Sequence, residues 1–247
     1  MIKNVITLSF LIISSLFSQN FQSKCGTPDP SQEEIEAVQQ RIQPYYDSSS
    51  RTPDDDPVNV RVAWHAIQSS EGEGILSDAD IADAIEVLNL IYNDPFNYYF
   101  TLDTITRHVN DDWFIFEPEE QSNQSSDELQ MRSQTAIDPT HTYNIWSILT
   151  LPDGNSITRG WNYWPSNHPE YSYWQGTTIN YESAIDPILA HEAGHYFGLY
   201  HTFQNNCSST NDYVDDTPAM HYDGTYSCNE MQDTCPDDEG FDPVRNY

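Results

Sequence analysis

His191, Glu192, His195 and His201 set three imidazoles and one carboxylate within eleven residues, a composition suited to a hydrolytic zinc centre. Two histidines four apart on a helix share one face, about 6 Å apart along the axis, within reach of one ion. Glu192 stands one residue further round. Its carboxylate can there take a proton from an activated water and later pass it to a leaving amine. His201 needs a change of backbone. On a continued helix it would lie about 15 Å along the axis from His191, far beyond a zinc–nitrogen bond of about 2.0–2.1 Å. Gly198 supplies the change, because glycine accepts positive φ, ends the helix and lets the chain swing back under the metal. Three protein ligands leave a fourth position for water, the catalytic pattern and not the structural one.

Elements to position these groups are legible on either side. Asp186 and Pro187 open the zinc helix as N-cap and first-turn proline, and Leu189, Ala193 and Phe197 pack its back face. Upstream, Val58, Val60, Val62 and Trp64 alternate with Asn59, Arg61, Ala63 and His65, which predicts a strand. Ser77 can cap a helix whose apolar stripe is Ile81, Ile85, Leu88 and Tyr92, ending before Pro95. Phe96, Tyr98, Phe100 and Leu102 alternate again as a second strand. Residues 127–136 form a second, weaker helix. The apolar run over 145–151 suits a strand buried on both faces, and 159–164 and 176–181 are two more strands. The sum predicts an α+β fold: a twisted, mixed, five-stranded sheet with two main helices, one of them the zinc helix, and an irregular C-terminal lobe.

Residues 1–18 read as a secretory signal, with Lys3 before an apolar run that ends near Ser18 and falls short of the ~20 residues a membrane span needs. A polar stretch follows with one short helix over 33–42, capped by Ser31. The Ser, Pro and Asp run 48–57 is a linker. Residues 19–51 thus read as a prosegment and 52–247 as the folded domain of an exported protein with no membrane attachment after signal removal. With 9 Lys+Arg against 39 Asp+Glu, the surface repels nucleic acid and anionic lipid. His65, His108, His141, His168 and His221 lack partners at metal spacing and read as strand or loop residues.

The segment 191–203 resembles the zinc helix and exit of the pappalysin family of metzincin metallopeptidases, which includes ulilysin-like members. Residues 214–218 and 233–236 resemble its downstream loop, and 85–89 and 144–146 its first helix and a central strand. The resemblance implies a zincin catalytic domain, a secreted zinc endopeptidase made as a zymogen, and a peptide substrate laid along a strand beside the cleft. It also implies a disulfide between Cys207 and Cys235, with Cys228 left over. Cys25-Gly26-Thr27-Pro28 is similar to the start of many pappalysin-like prosegments. There the Cys25 thiolate would fill the fourth zinc position and silence the site; the other reading is a leftover thiol or a disulfide partner for a downstream cysteine. Asp212, Asp215 and Asp216 gather oxygen ligands that suit calcium, as the resemblance also implies, though no EF-hand spacing is present and a plain acidic turn reads equally well. Residues 240–247 resemble the family's approach to its Met-turn, so the catalytic domain is expected to lack its C-terminal end. Two other functions fit the same residues: an inactive zinc- or calcium-binding protein, and a non-catalytic peptide-binding module.

Overall fold

The computed structural model describes residues 22–48, 56–94, 96–118, 126–215, 217–222 and 229–244. The signal at 1–18, residues 49–55 of the 48–57 linker, Asp216 and Cys228 lie outside them. Among the described residues one six-stranded sheet runs β1-β5-β6-β4-β2-β3, with β1 Gln22–Cys25, β2 Val58–Gln68, β3 Tyr98–Val109, β4 Tyr143–Ile148, β5 Ser156–Asn162 and β6 Thr177–Asn180. All pairings are parallel except β5 with β6. Five of these strands are the predicted ones. The sixth, β1, comes from the segment read as prosegment and adds to the open edge of β5.

Helix α1 (Gln32–Ser48) begins at Ser31, whose hydroxyl accepts from Glu34 N–H while the Glu34 carboxylate accepts from Ser31 N–H. The helix runs past the predicted end at residue 42. Helix α2 (Asp78–Tyr92) starts on the same device, with Ser77 and Asp80 as its partners. Short helix α3 (Asp111–Phe114) and helix α4 (Ser126–Thr135) precede β4, and α5 (Ile188–Tyr196) carries the histidine pair.

Strand parity decides which face each helix covers. Val62, Trp64 and Ala66 of β2, with Tyr143 and Ile145 of β4, pack under Ile81, Ile85 and Leu88 of α2 and Leu189 and Ala193 of α5. Ile67, Trp146 and Ile148 point the other way and meet Trp113 and Phe114 of α3 and Met131 of α4. Tyr143–Ile148 is buried on both faces, as the apolar run predicts, but it stops short of Leu151, which is half exposed. One terminus differs from expectation. A 3₁₀ turn at Tyr181–Ser183 leads straight into α5, so Pro187 takes the N-cap in helical conformation and no side chain caps the helix. Asp186 contributes only its carbonyl, which accepts from Leu189 N–H at 3.1 Å.

Candidate metal centre

The helix α5 rests on β5 and β6 with its N-terminal half pinned by α2, where the Tyr92 hydroxyl donates to the Ala190 carbonyl at 2.8 Å. After Tyr196 the chain turns at Gly198, whose φ is +90°, and Leu199 N–H returns to the Gly194 carbonyl at 2.9 Å. That reversal brings His201 back beneath the helix. The His195 Nε2 lies 3.0 Å from His191 Nε2, 3.2 Å from His201 Nε2 and 3.5 Å from Cys25 Sγ. The four donor atoms all lie within 4.8 Å of one another. A tetrahedral zinc with bonds of about 2.0–2.1 Å has ligand–ligand edges of about 3.4 Å, so the set fits that ion. His195 Nε2 has one lone pair or one proton, which cannot serve three neighbours at once; a cation between them resolves the conflict.

The surroundings of two of the imidazoles, His195 and His201, favour the neutral ring. His195 Nδ1–H donates to the Leu199 carbonyl at 2.7 Å, which leaves Nε2 as the acceptor facing the other donors. Burial holds His195 well below the ordinary histidine range, with repulsion from the other two rings adding to it. Burial likewise pushes His201 down to about 4. Its ring stacks on Phe203 at 4.8 Å, and the edge of His195 meets Trp164 at 5.4 Å.

Glu192 is fully buried against β5. Gly160 makes this approach available, since a Cβ there would sit 2.8 Å from Glu192 Cγ. Glu192 Oε2 accepts from Asn162 Nδ2 at 3.0 Å and from the Thr27 hydroxyl at 3.2 Å, while Oε1 has no hydrogen-bond partner. Burial pushes the carboxyl up to about 7, opposed by its contacts with Cys25, Asn162 and Thr27. Cys25 lies close enough to feel that carboxylate: burial, then Glu192, raises its thiol well above the usual range.

The N-terminal segment is held at several points. β1 runs parallel to β5, Gly26 N–H donates to Gly160 O at 2.8 Å, and Trp164 Nε1–H donates to the Pro28 carbonyl at 2.8 Å. Thr27 bridges two groups of the site, donating to Glu192 and accepting from Asn162 N–H at 2.9 Å.

The structure thus gathers Cys25, His191, His195, His201 and Glu192 into one place. Cys207 and Cys235 form a disulfide across the C-terminal lobe, and Cys25 is a free thiol. The acidic loop is different. Asp212 turns inward, where Oδ1 accepts from Val214 N–H at 3.0 Å, while Asp215 lines an open hollow with Asp238 and Glu239. Asp216 lies outside the described residues, and among these the cysteine–histidine group alone converges at metal distance. None of the remaining histidines joins it. His65 is buried instead between Thr106 and Asn144, at 2.7 and 2.9 Å.

Sequence reasoning passed over Asn162, Thr27 and the pair Glu128–Arg132. An amide set among Trp161, Tyr163 and Trp164 was the available signal for Asn162. Glu128 and Arg132, at helical i,i+4 spacing, are wholly buried, 2.8 Å apart. Arg132 also donates to Thr178 and to two main-chain carbonyls, and Trp161 Nε1–H and the Tyr163 hydroxyl donate to Glu128.

With this geometry in place, comparison with known proteins is decisive at the family level. Residues 64–240 match the model of metallo-peptidase family M12. The chain belongs to that family. An extracellular metalloprotease of Colletotrichum graminicola is 32% identical over 259 residues, covering 96% of this chain and 87% of the relative. One from Verticillium alfalfae is 30% identical over 234 residues, covering 90% and 80%. Among solved structures, mature mirolysin of Tannerella forsythia in complex with a cleaved peptide superposes with a TM-score of 0.59 at 21% identity, covering 78% of this chain and 83% of that one. A promirolysin mutant from the same organism gives 0.56 at 19%, covering 76% and 70%. At these identities the likeness establishes the fold, a mixed sheet of metzincin type. No helix among the described residues is long and apolar enough to cross a membrane.

Proposed function

We propose that this M12 metallopeptidase is an exported zinc endopeptidase of pappalysin type, kept latent by its own N-terminal segment. The observation that carries this reading is the convergence of Cys25 Sγ with three imidazole nitrogens, beside a buried carboxylate. Residues 1–18 serve as the export signal, 19–51 as the prosegment and 52–247 as the catalytic domain. The relatives named as extracellular metalloproteases support export, and the neighbour holding a cleaved peptide supports a peptide substrate.

His191, His195 and His201 would hold the zinc, and in the latent form Cys25 would complete the set. When bound, zinc supplies a Lewis acid that polarises the scissile carbonyl and acidifies water. Glu192 performs the proton chemistry. Oε1, without a hydrogen-bond partner, accepts a proton from the attacking water and later delivers it to the departing amine nitrogen. In the latent form Cys25 and Thr27 crowd this carboxylate and β1 covers the edge of β5. Cleavage in the linker near Arg51 releases all three restraints together. The edge of β5 then has free main-chain groups with which an extended peptide can pair.

The test is to compare wild type, Glu192→Ala and His195→Ala after processing. Glu192→Ala should keep about one zinc per chain, as ligation by three imidazoles requires, and lose peptide cleavage. His195→Ala should lose both. Zinc lost from Glu192→Ala and retained by His195→Ala would overturn the assignment of roles.

A further inference from the structure

Asn162 lies at the end of β5, is buried, and its side-chain amide bonds to two neighbours, Glu192 and Thr177. One face of its amide grips Glu192 twice, with Nδ2–H donating to the main-chain carbonyl at 2.7 Å and to Oε2 at 3.0 Å. The other face is fixed by Thr177 of β6, whose hydroxyl donates to Asn162 Oδ1 at 2.7 Å. A hydroxyl carries one proton, so the hydrogen bond between Thr177 and the Tyr143 phenol must run with the phenol as donor. Burial holds that phenol well above its ordinary range, so it stays protonated. The proton order is therefore set from β4 to the active carboxylate: Tyr143 to Thr177, Thr177 to Asn162, Asn162 to Glu192. Turning the amide would set its oxygen against two Glu192 acceptors and take Oδ1 away from the Thr177 donor, so its orientation is fixed.

We propose that Asn162 is a positioning residue for peptide hydrolysis, pinning Glu192 by its carbonyl and Oε2 so that Oε1 is the oxygen presented to the attacking water. This rests on the peptidase reading above. Asn162 gains and loses no proton; the water's proton goes to Glu192 Oε1 and then to the leaving amine nitrogen. Because one amide holds both ends of the Glu192 residue, it restricts the torsions between them. The clamp belongs to the catalytic domain and persists when the N-terminal segment leaves, whereas the Thr27 contact does not.

The experiment uses processed protein: wild type, Asn162→Ala, Thr177→Val and Thr177→Ser, each checked for zinc content and thermal midpoint. Asn162→Ala should lower kcat about tenfold to a hundredfold, the worth of a hydrogen bond to a charged group, with KM and zinc content little changed. Thr177→Val, nearly isosteric, should lower kcat as well, by leaving the buried Oδ1 without its donor and the amide less firmly held, and Thr177→Ser should restore it. A crystal structure of metal-free Asn162→Ala should find the Glu192 carboxylate displaced or split between rotamers. Unchanged kcat in Thr177→Val, or an equal loss in Thr177→Ser, overturns the clamp, and this pair decides the matter even where Asn162→Ala does not fold. Wild type that cleaves no peptide would sink the peptidase reading instead. The position of Glu192 in the crystals would then judge the clamp separately: displaced in Asn162→Ala supports it, unmoved overturns it.

Discussion

Thr27→Val isolates one contact of the proposed latent state at nearly constant volume. The Thr27 hydroxyl donates to Glu192 Oε2 at 3.2 Å and accepts from Asn162 N–H at 2.9 Å, and all three residues are buried. Valine keeps the shape and removes both bonds. Asn162 N–H is then a buried donor without a partner, which costs about 1–3 kcal/mol, and the carboxylate loses one of two donors on Oε2. The bond to the carboxylate is long, so it adds about 1 kcal/mol. Once the segment has left, both groups can reach water, and the whole loss therefore falls on the closed form. A total of about 2–4 kcal/mol raises the open fraction on the order of 30-fold to several hundred-fold, at about 1.4 kcal/mol per decade. The assay is the initial rate of the uncut chain on an unstructured fluorogenic peptide, at equal zinc occupancy, before mass spectrometry detects processing. Thr27→Ser should behave like wild type, and Cys25→Ala should also leak, by loss of the fourth zinc bond. A Thr27→Val rate equal to wild type would refute the reasoning. So would a serine variant that leaks as much as valine, since the hydroxyl would then be irrelevant.

Arg132→Met should destabilise the fold by about 3–5 kcal/mol, because it strands the Glu128 charge in the core; adding Glu128→Gln should recover part of that loss, and strictly additive urea-unfolding energies would contradict a coupled pair. Stability should also fall in mild acid. Burial depresses His65 from 6.5 to about 4, so its contribution is complete above pH 6.5 and is lost as pH falls towards 4, by about 3 kcal/mol in all. A His65→Gln variant with the same pH slope as wild type over that window would exclude His65 as its source. Gly160→Ala places a methyl 2.8 Å from Glu192 Cγ and should cost about 1–3 kcal/mol while displacing the carboxylate, read as lost turnover at retained zinc. Full activity in that variant would mean that α5 can shift away from β5 without consequence.

How far the sequence foretold this molecule depended on whether a residue's partners are local. Ile81, Ile85 and Leu88 carry their helix in their spacing, and the α2 cap lies within four residues, so α2 was legible to its end. The turn after the zinc helix was legible for the same reason, since Gly198 and the distance to His201 constrain each other. Strand β1 was not. Gln22–Cys25 has no apolar alternation, and becomes a strand because β5, more than a hundred residues away, offers it main-chain groups. Glu128 and Arg132 sit in a helix with a weak apolar stripe that does not single them out, yet tryptophans and tyrosines from β5 and beyond close over them. Asn162 looked like one polar residue in an aromatic strand, and only the approach of α5 gives its amide a purpose. Asp186 failed as a cap because the preceding turn had already set the chain in helical conformation.

The separation between Cys25 and His195, 170 residues, sets a timetable for biosynthesis. Cys25 is made early, and the groove that shelters it requires β5 and the zinc helix. At about 5–20 residues per second, some 10–30 s of translation pass before His195 and His201 exist. Through that interval the thiol has no complete metal site and no Glu192, and for most of it no edge strand to cover it. Cys207 and Cys235, only 28 residues apart, appear after the groove is complete and can find each other quickly. Chain order thus separates the two sulfur chemistries in time: the thiol proposed to close the metal site has its shelter synthesised before either partner of the disulfide emerges. A circular permutant with residues 19–51 moved to the C-terminus would reverse that order, exposing Cys25 to thiol exchange while the disulfide is forming.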